Sequence, residues 1–397
     1  MCAMTMPSPT AARIVSAPPE PLRGDAIPPA LDSYAALTRY LIARGLLAPA
    51  SVVDGGFRMR DLSRRNQNLL VDGAGQGGLF VKIGTDRAHR AGLAHEAAVY
   101  RLLRSMLEPA HAERLLPVLV DHDPHAAVLV LGQVDRENLR DLHARLGRFV
   151  PALAARLGRE LGRLHRALPR ETWCGHDGVR GIEEGGFYPL PFCLVTPMLG
   201  FVANCSAASL ALLRLVQGNA RLCAMLEALE ATWRAHCADA PCLIHADLRL
   251  DNCCVHLRPL RLRIVDWELA TDGDPAWDAG AVMADYVSAW LHSMPLPAGA
   301  EPSDCVPLAG IGHAALQDAM RAFFTAYAAA RGLAGSWRTN ELHACVRYAA
   351  ARLLQLAYEQ LQGAAQLTTH ALGHVQLCEN LLRRPEEGAA HFLGLPP

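Results

Sequence analysis

The hydrophobic period of this chain changes once, near residue 134, and that change constrains the fold more than any other feature. Between about Val52 and Val134, short apolar runs recur: SVVDGGFRM, NQNLLVDG, GLFVKIG, LLPVLVDHD and AAVLVLGQV. Runs of this length bounded by Gly, Pro, Asn or Asp read as strands. A helical pattern, LDSYAALTRYLIARGLL, precedes them from Leu31, and another, LAHEAAVYRLLRSML, lies among them. Beyond Val134 helical spacing dominates, in PALAARLGRELGRLHRAL, AASLALLRLVQGNARLCAMLEALEATWRAH, ALQDAMRAFFTAYAAARG, LHACVRYAAARLLQLAYEQLQG and THALGHVQLCENLLRR. The pattern predicts an α+β chain of two lobes. Residues 1–30, rich in Pro, Ala and Ser, form a mobile lead-in, residues 31–133 a small antiparallel sheet with a helix, and residues 134–397 a helical lobe. A cleft between two such lobes is a favoured place for a ligand.

Composition narrows the function classes. The formal net charge is −1, with Lys+Arg 38 against Asp+Glu 39, so no global electrostatic case exists for nucleic acid or an anionic membrane. No apolar run of spanning length and no apolar signal core appears, which predicts a cytoplasmic protein without membrane contact. The twelve cysteines show no C-x-x-C spacing. Adjacent Cys253 and Cys254 sit in a strand-like stretch and read as small buried hydrophobes in a reducing compartment.

One segment breaks the helical second part: CLIHADLRLDNCCVHLRPLRLRIVDWELATDGDPAWDAG. It places three oxygen acceptors in order: Asp247, Asn252 five residues on, and Asp266 after an apolar strand. Mg²⁺ takes oxygen ligands, usually one or two from the protein and the rest from phosphates and water. A further carboxylate off the metal can orient an acceptor hydroxyl and take its proton. The spacing therefore assigns Asn252 and Asp266 to a metal and Asp247 to an incoming alcohol.

At these residues the chain resembles the aminoglycoside phosphotransferase and choline kinase-like family, whose fold is that of the protein kinases. HADLRLDN stands as the H-x-D-x-x-x-x-N catalytic loop and DWE in the place of the kinase D-F-G. GDPAWD, from Gly273 to Asp278, matches the following loop, and LGRELGRLHRAL the helix before the catalytic loop. The resemblance implies a catalytic base at Asp247, Mg²⁺ ligands at Asn252 and Asp266, a loop support at His245 and a structural anchor at Asp278. Arg249 either faces the transferred phosphoryl group or pairs with Asp251.

The sequence contains one lysine, Lys82 in LFVKIG; every other basic residue among the 38 is arginine. In this fold a strand lysine reaches the nucleotide phosphates and is held by a glutamate of the next helix. Lys82 and Glu96 fit those places. A compact ammonium and a planar guanidinium differ in reach, which explains why this position resists the arginine bias.

GAGQGG, from Gly73 to Gly78, fits a phosphate-loop pattern, but three residues separate it from Lys82 and no second strand fits between. It reads as a hairpin turn. The phosphate lid is expected one turn earlier, in LSRRNQN, with Ser63, Arg64, Arg65 and Asn66 as donors. The hinge is expected at Val130–Val134, meeting the purine edge of ATP or GTP.

Two rivals explain less. A metal-dependent hydrolase built on His245, Asp247 and Asp266 needs more ligands and leaves Lys82 without a role; His165 and His256 suit core or surface positions. An inactive kinase-like scaffold would lack a catalytic group, and none is missing. The acceptor is a hydroxyl of a small molecule, or alternatively a Ser or Thr of a peptide, since related enzymes occur beside peptide natural-product pathways. A polycationic acceptor calls for an acidic wall. From Tyr286 onward eight acidic residues face seven arginines, with no surplus, and Glu183 and Glu184 are the best acidic candidates in the insert before them.

Overall fold

The computed structural model describes residues 31, 33–62, 67–73, 78–133, 137–174, 187–239, 241–258, 260–297 and 302–395. The N-terminal lead-in, the lid donors Ser63, Arg64, Arg65 and Asn66, the middle of GAGQGG, the hinge end at Val134 and the acidic pair Glu183 and Glu184 lie outside the described residues.

The first lobe is a five-stranded antiparallel sheet of β1 (Arg58–Asp61), β2 (Gln67–Asp72), β3 (Leu79–Ile83), β4 (Leu119–Asp123) and β5 (Val128–Gly132), in the order β1-β2-β3-β5-β4. β2 and β3 pair antiparallel from Val71↔Leu79 to Gln67↔Ile83, so GAGQGG connects two sheet neighbours as a hairpin does. β3 is internal, with Lys82 opposite Asn68 on one side and Leu129 on the other. Side chains alternate across a strand. Val81 and Ile83 pack with Leu37 and Leu41 of α1 (Tyr34–Ala43), where Ser33 caps the helix through Ala36 N. Phe80 and Lys82 consequently face the opposite side, toward α2 (Arg87–Met106) and the helical lobe. Asp86 caps α2 by accepting from His89 N at 2.9 Å.

Two expectations need correction. In SVVDGGFRM only the last residues are a strand, because Pro49 opens a short helix, Pro49–Val53, that takes up the Val pair. Proline at the first helical turn loses no hydrogen bond, which outweighs the β preference of two valines. The long pattern from Ala207 is two helices, Ala207–Gln217 and α4 (Ala220–Asp239). Gly218 ends the first, and the Asn219 side chain accepts from Leu222 N at 3.0 Å to start the second.

The second lobe is built from α3 (Pro151–Ala167), α4, α5 (Pro275–His292), α6 (His313–Arg331), α7 (Gly335–Gln360) and α8 (Thr369–Arg383). α3 packs on α6, and α7 lies between α5 and α8. Two small ribbons, β6 (Cys242–Ile244) with β9 (Thr271–Gly273) and β7 (Cys253–Leu257) with β8 (Leu260–Ile264), carry the polar loops between α4 and α5. Cys253 and Cys254 are both buried on β7, and all eleven cysteines among the described residues are free. Among the described residues no helix is long and apolar enough to cross a membrane.

The glycines of LGRELGRLHRAL set the α3–α6 approach. A Cβ at Gly158 would lie 2.2 Å from Phe323 O, and one at Gly162 2.5 Å from Tyr327 O. The two backbones touch there, so Gly158→Ala should lower the free energy of unfolding by about 1–3 kcal/mol through overpacking. Urea unfolding will measure it; unchanged stability would mean that the helices separate freely at this crossing.

Candidate active site

The polar loops are held in place from α5. Asp274 caps this helix by accepting from Ala276 N at 3.0 Å, and Asp278 follows one turn later, fully buried. Its carboxylate accepts from His245 N at 2.7 Å and Ala246 N at 3.0 Å, and lies 3.3 Å from His165 Nε2. The Trp277 indole donates to Ala246 O at 3.0 Å. These contacts fix Ala246 at φ 67°, a left-handed conformation that a non-glycine residue adopts only under constraint. Asp266 has the same strained conformation, at φ 68°. His245 donates through Nε2 to Val265 O at 2.9 Å and packs on Trp267, ring centres 4.6 Å apart. It ties the loop holding Asp247 to the loop holding Asp266. His165 belongs to the core beneath Asp278.

Further bonds fix the acceptor set. Asn252 Nδ2 donates to Asp247 O at 3.0 Å, which turns the amide oxygen the other way, and Val265 N donates to Asn252 O at 3.0 Å. Asp285 accepts from Leu250 N at 2.7 Å and pairs with Arg140 at 2.6 Å.

Lys82 crosses from the sheet to this assembly. Its Nζ lies 2.8 and 3.0 Å from the two oxygens of Glu96 on α2 and 2.6 Å from Asp266 Oδ1. Burial disfavours the Lys82 ammonium, but Glu96 and Asp266 together outweigh it and raise its pKa. Burial likewise works against the Asp266 carboxylate, and Lys82 reverses the sign, holding its pKa below the usual carboxylate range. Lys82, Asn252 and Asp266 line one cavity of about 350 Å³. Leu131 and Gly132 from the expected hinge and Phe80 from the sheet complete its apolar side.

Two arginines complete the geometry. Arg249 does not pair with Asp251, which bonds to Arg140 at 2.9 Å because Arg140 reaches in from the helix Leu139–Leu146. Arg249 instead donates to Glu359 at 3.1 Å and places Nε 3.5 Å from Asp247 Oδ2. Arg352 of α7, with only 2% of its surface exposed, donates to Asp247 Oδ1 at 2.5 Å. Sequence reasoning passed over Arg352. Its one signal was a guanidinium set in the apolar face of YAAARLLQLAY, where a cation needs a buried counter-charge.

The phosphotransferase enzyme family model, APH, matches residues 60–333. The chain belongs to this family. No curated protein sequence matches it. Among solved structures it is similar to an ethanolamine kinase of Plasmodium vivax, at 11% identity and TM-score 0.53, over 88% of this chain and 89% of that one. It is also similar to a choline kinase of Cryptosporidium parvum, at 12% identity and TM-score 0.51, over 88% and 97%. These likenesses show the protein-kinase-like fold of the family.

Lys82 and Glu96 are both buried, so removing one strands the charge of the other. Lys82→Met should cost about 3–5 kcal/mol of stability, and Lys82→Met with Glu96→Leu should regain most of it. Denaturant unfolding of both variants checks this. If the single variant were as stable as the parent, Glu96 would have a partner besides Lys82.

Proposed function

We propose that this phosphotransferase moves the γ-phosphoryl group of ATP, or of GTP, to a hydroxyl of a small molecule in a Mg²⁺-dependent reaction. The carrying observation is the 2.6 Å contact of Lys82 with Asp266 inside the interlobe cavity. It puts the chain's one ammonium beside a carboxylate on the wall where nucleotide phosphates would enter.

The apolar side formed by Phe80 and Leu131 suits a flat purine. Lys82, held by Glu96, is placed to meet phosphate oxygens as a point charge. Asn252 and Asp266 offer the oxygen donors that Mg²⁺ prefers, and they line the same cavity. When bound there, Mg²⁺ supplies charge neutralisation on the phosphates. Asp247 lies across its loop from Asn252, where its carboxylate can orient an alcohol and accept its proton. Arg249 stands beside Asp247 as a donor toward the transferred group. A peptide Ser or Thr is the second reading of the acceptor. It is favoured by Met198 and Leu199, 78% and 84% exposed, at the short helix Leu199–Ala203.

Two substitutions test the assignment with purified protein, Mg-ATP and an acceptor panel. Asp247→Asn should lower kcat by about 10²–10⁴-fold while Mg-nucleotide affinity is kept, because the base acts in the transition state. Parental rates would remove Asp247 from the chemistry. Lys82→Arg keeps the charge and should still lower kcat/KM, since the guanidinium cannot occupy the same point between Glu96 and Asp266. An arginine variant as fast as the parent would show that charge alone suffices.

A further inference from the structure

Among the described residues two carboxylates stand together at the base position and beside it, Asp247 and Glu359, and each is matched by an arginine. Arg352 donates to Asp247 Oδ1 at 2.5 Å, and Arg249 donates to Glu359 Oε2 at 3.1 Å. The cross contacts are longer, with Arg249 Nε 3.5 Å from Asp247 Oδ2 and Arg352 Nη1 3.8 Å from Glu359 Oε1. Gln355 also donates to Glu359 Oε1, at 2.9 Å. The four charges form a closed, neutral set.

This set is unsuited to a cationic alcohol. At this set an ammonium next to the reacting hydroxyl would find no carboxylate without a guanidinium on it. It would obtain one only by stripping Arg249 or Arg352 from its partner. The Arg352 side chain is 2% exposed and cannot swing into water to be solvated instead. A buried guanidinium left without its counter-charge is strongly unfavourable. The surroundings suit an uncharged body. On the same helix as Glu359, Tyr358 stacks on Phe201 with ring centres 5.2 Å apart, and the helix of Phe201 exposes Leu199. Nearby Asp251 and Asp285 are likewise taken, both by Arg140.

Resting on the phosphotransfer reading above, we propose that the acceptor is an alcohol with no positive charge next to its hydroxyl. The buried Arg352, with Arg249, sets that preference by neutralising the carboxylates an ammonium would use.

The test uses acceptor pairs that differ only in charge: ethanolamine and N-acetylethanolamine, serine amide and N-acetylserine amide, an aminoglycoside and its per-N-acetylated form. Phosphoryl transfer from Mg-ATP is measured for each member with the full chain. In every pair that reacts, the acetylated member should be favoured by about tenfold or more in kcat/KM. In Arg352→Gln that ratio should shrink or reverse, since a carboxylate is released for an ammonium. Arg249→Gln, at a more exposed position, should move the ratio in the same direction and serves if the buried variant does not fold. A preference for the ammonium member in the parent, or an unchanged ratio in both variants, overturns the inference. Transfer to none of the acetylated members by an enzyme that binds Mg-ATP also overturns it. Absence of Mg-ATP binding by calorimetry marks the separate failure of the phosphotransfer reading.

Discussion

The joint between the sheet itself and the helical lobe turns on the ammonium of Lys82, with the helices beside the sheet adding contacts such as His95 to Ala270 O at 2.7 Å. Lys82 leaves β3 on the face opposite Val81 and Ile83, meets Glu96 on α2, and reaches Asp266 at the end of the β8 ribbon. Such a buried ionic set adds little net stability, because desolvating the charges offsets their attraction. What it supplies is registration. The strand direction, the rotation of α2 and the strained backbone at Asp266 all have to agree for three charged groups to meet within 3.0 Å. The other half of the cleft is registered in the same way by Asp278, whose carboxylate gathers two successive backbone N–H groups and so forces the turn at Ala246.

Much of this was legible in the sequence, for reasons that differ between residues. Lys82 stood out because the composition left it alone, and Glu96 followed from the short link between strand and helix. Asp247, Asn252, Asp266 and Asp278 lie within 32 residues, so spacing together with the family resemblance pointed to them as a group. Arg352 carried only a weak signal and Glu359 none, because their meeting with Asp247 and Arg249 respectively depends on how α7 lies against α5, which no local spacing encodes. The failure at SVVDGG was of another kind. There a proline at a helix start overrode side-chain preference within a few residues. The split at Gly218 was a capping signal hidden inside a continuous apolar period.

The division of labour between cations has a physical basis. Arginine is planar and permanently charged, and it can bond two groups at once, as Arg140 does with Asp251 and Asp285. It therefore suits the task of neutralising and fixing carboxylates. A phosphate point contact in a tight corner needs a smaller, rotatable donor. Arg140 and Arg352 serve the first task, and the one lysine stands in the corner between Glu96 and Asp266.

The ionic set around Asp247 draws on residues inside and outside the family match. The family match ends at residue 333, whereas Arg352 and Glu359 lie beyond it on α7. The solved structures resembling this chain share 11–12% identity, which conveys the fold and not the lining of the acceptor side. Asp247 and Glu359 are both paired with guanidiniums of the same chain. α7 brings Arg352 and Glu359 together to the catalytic loop, where they close an ionic set with Asp247 and Arg249 and leave Lys82, Asn252 and Asp266 in place.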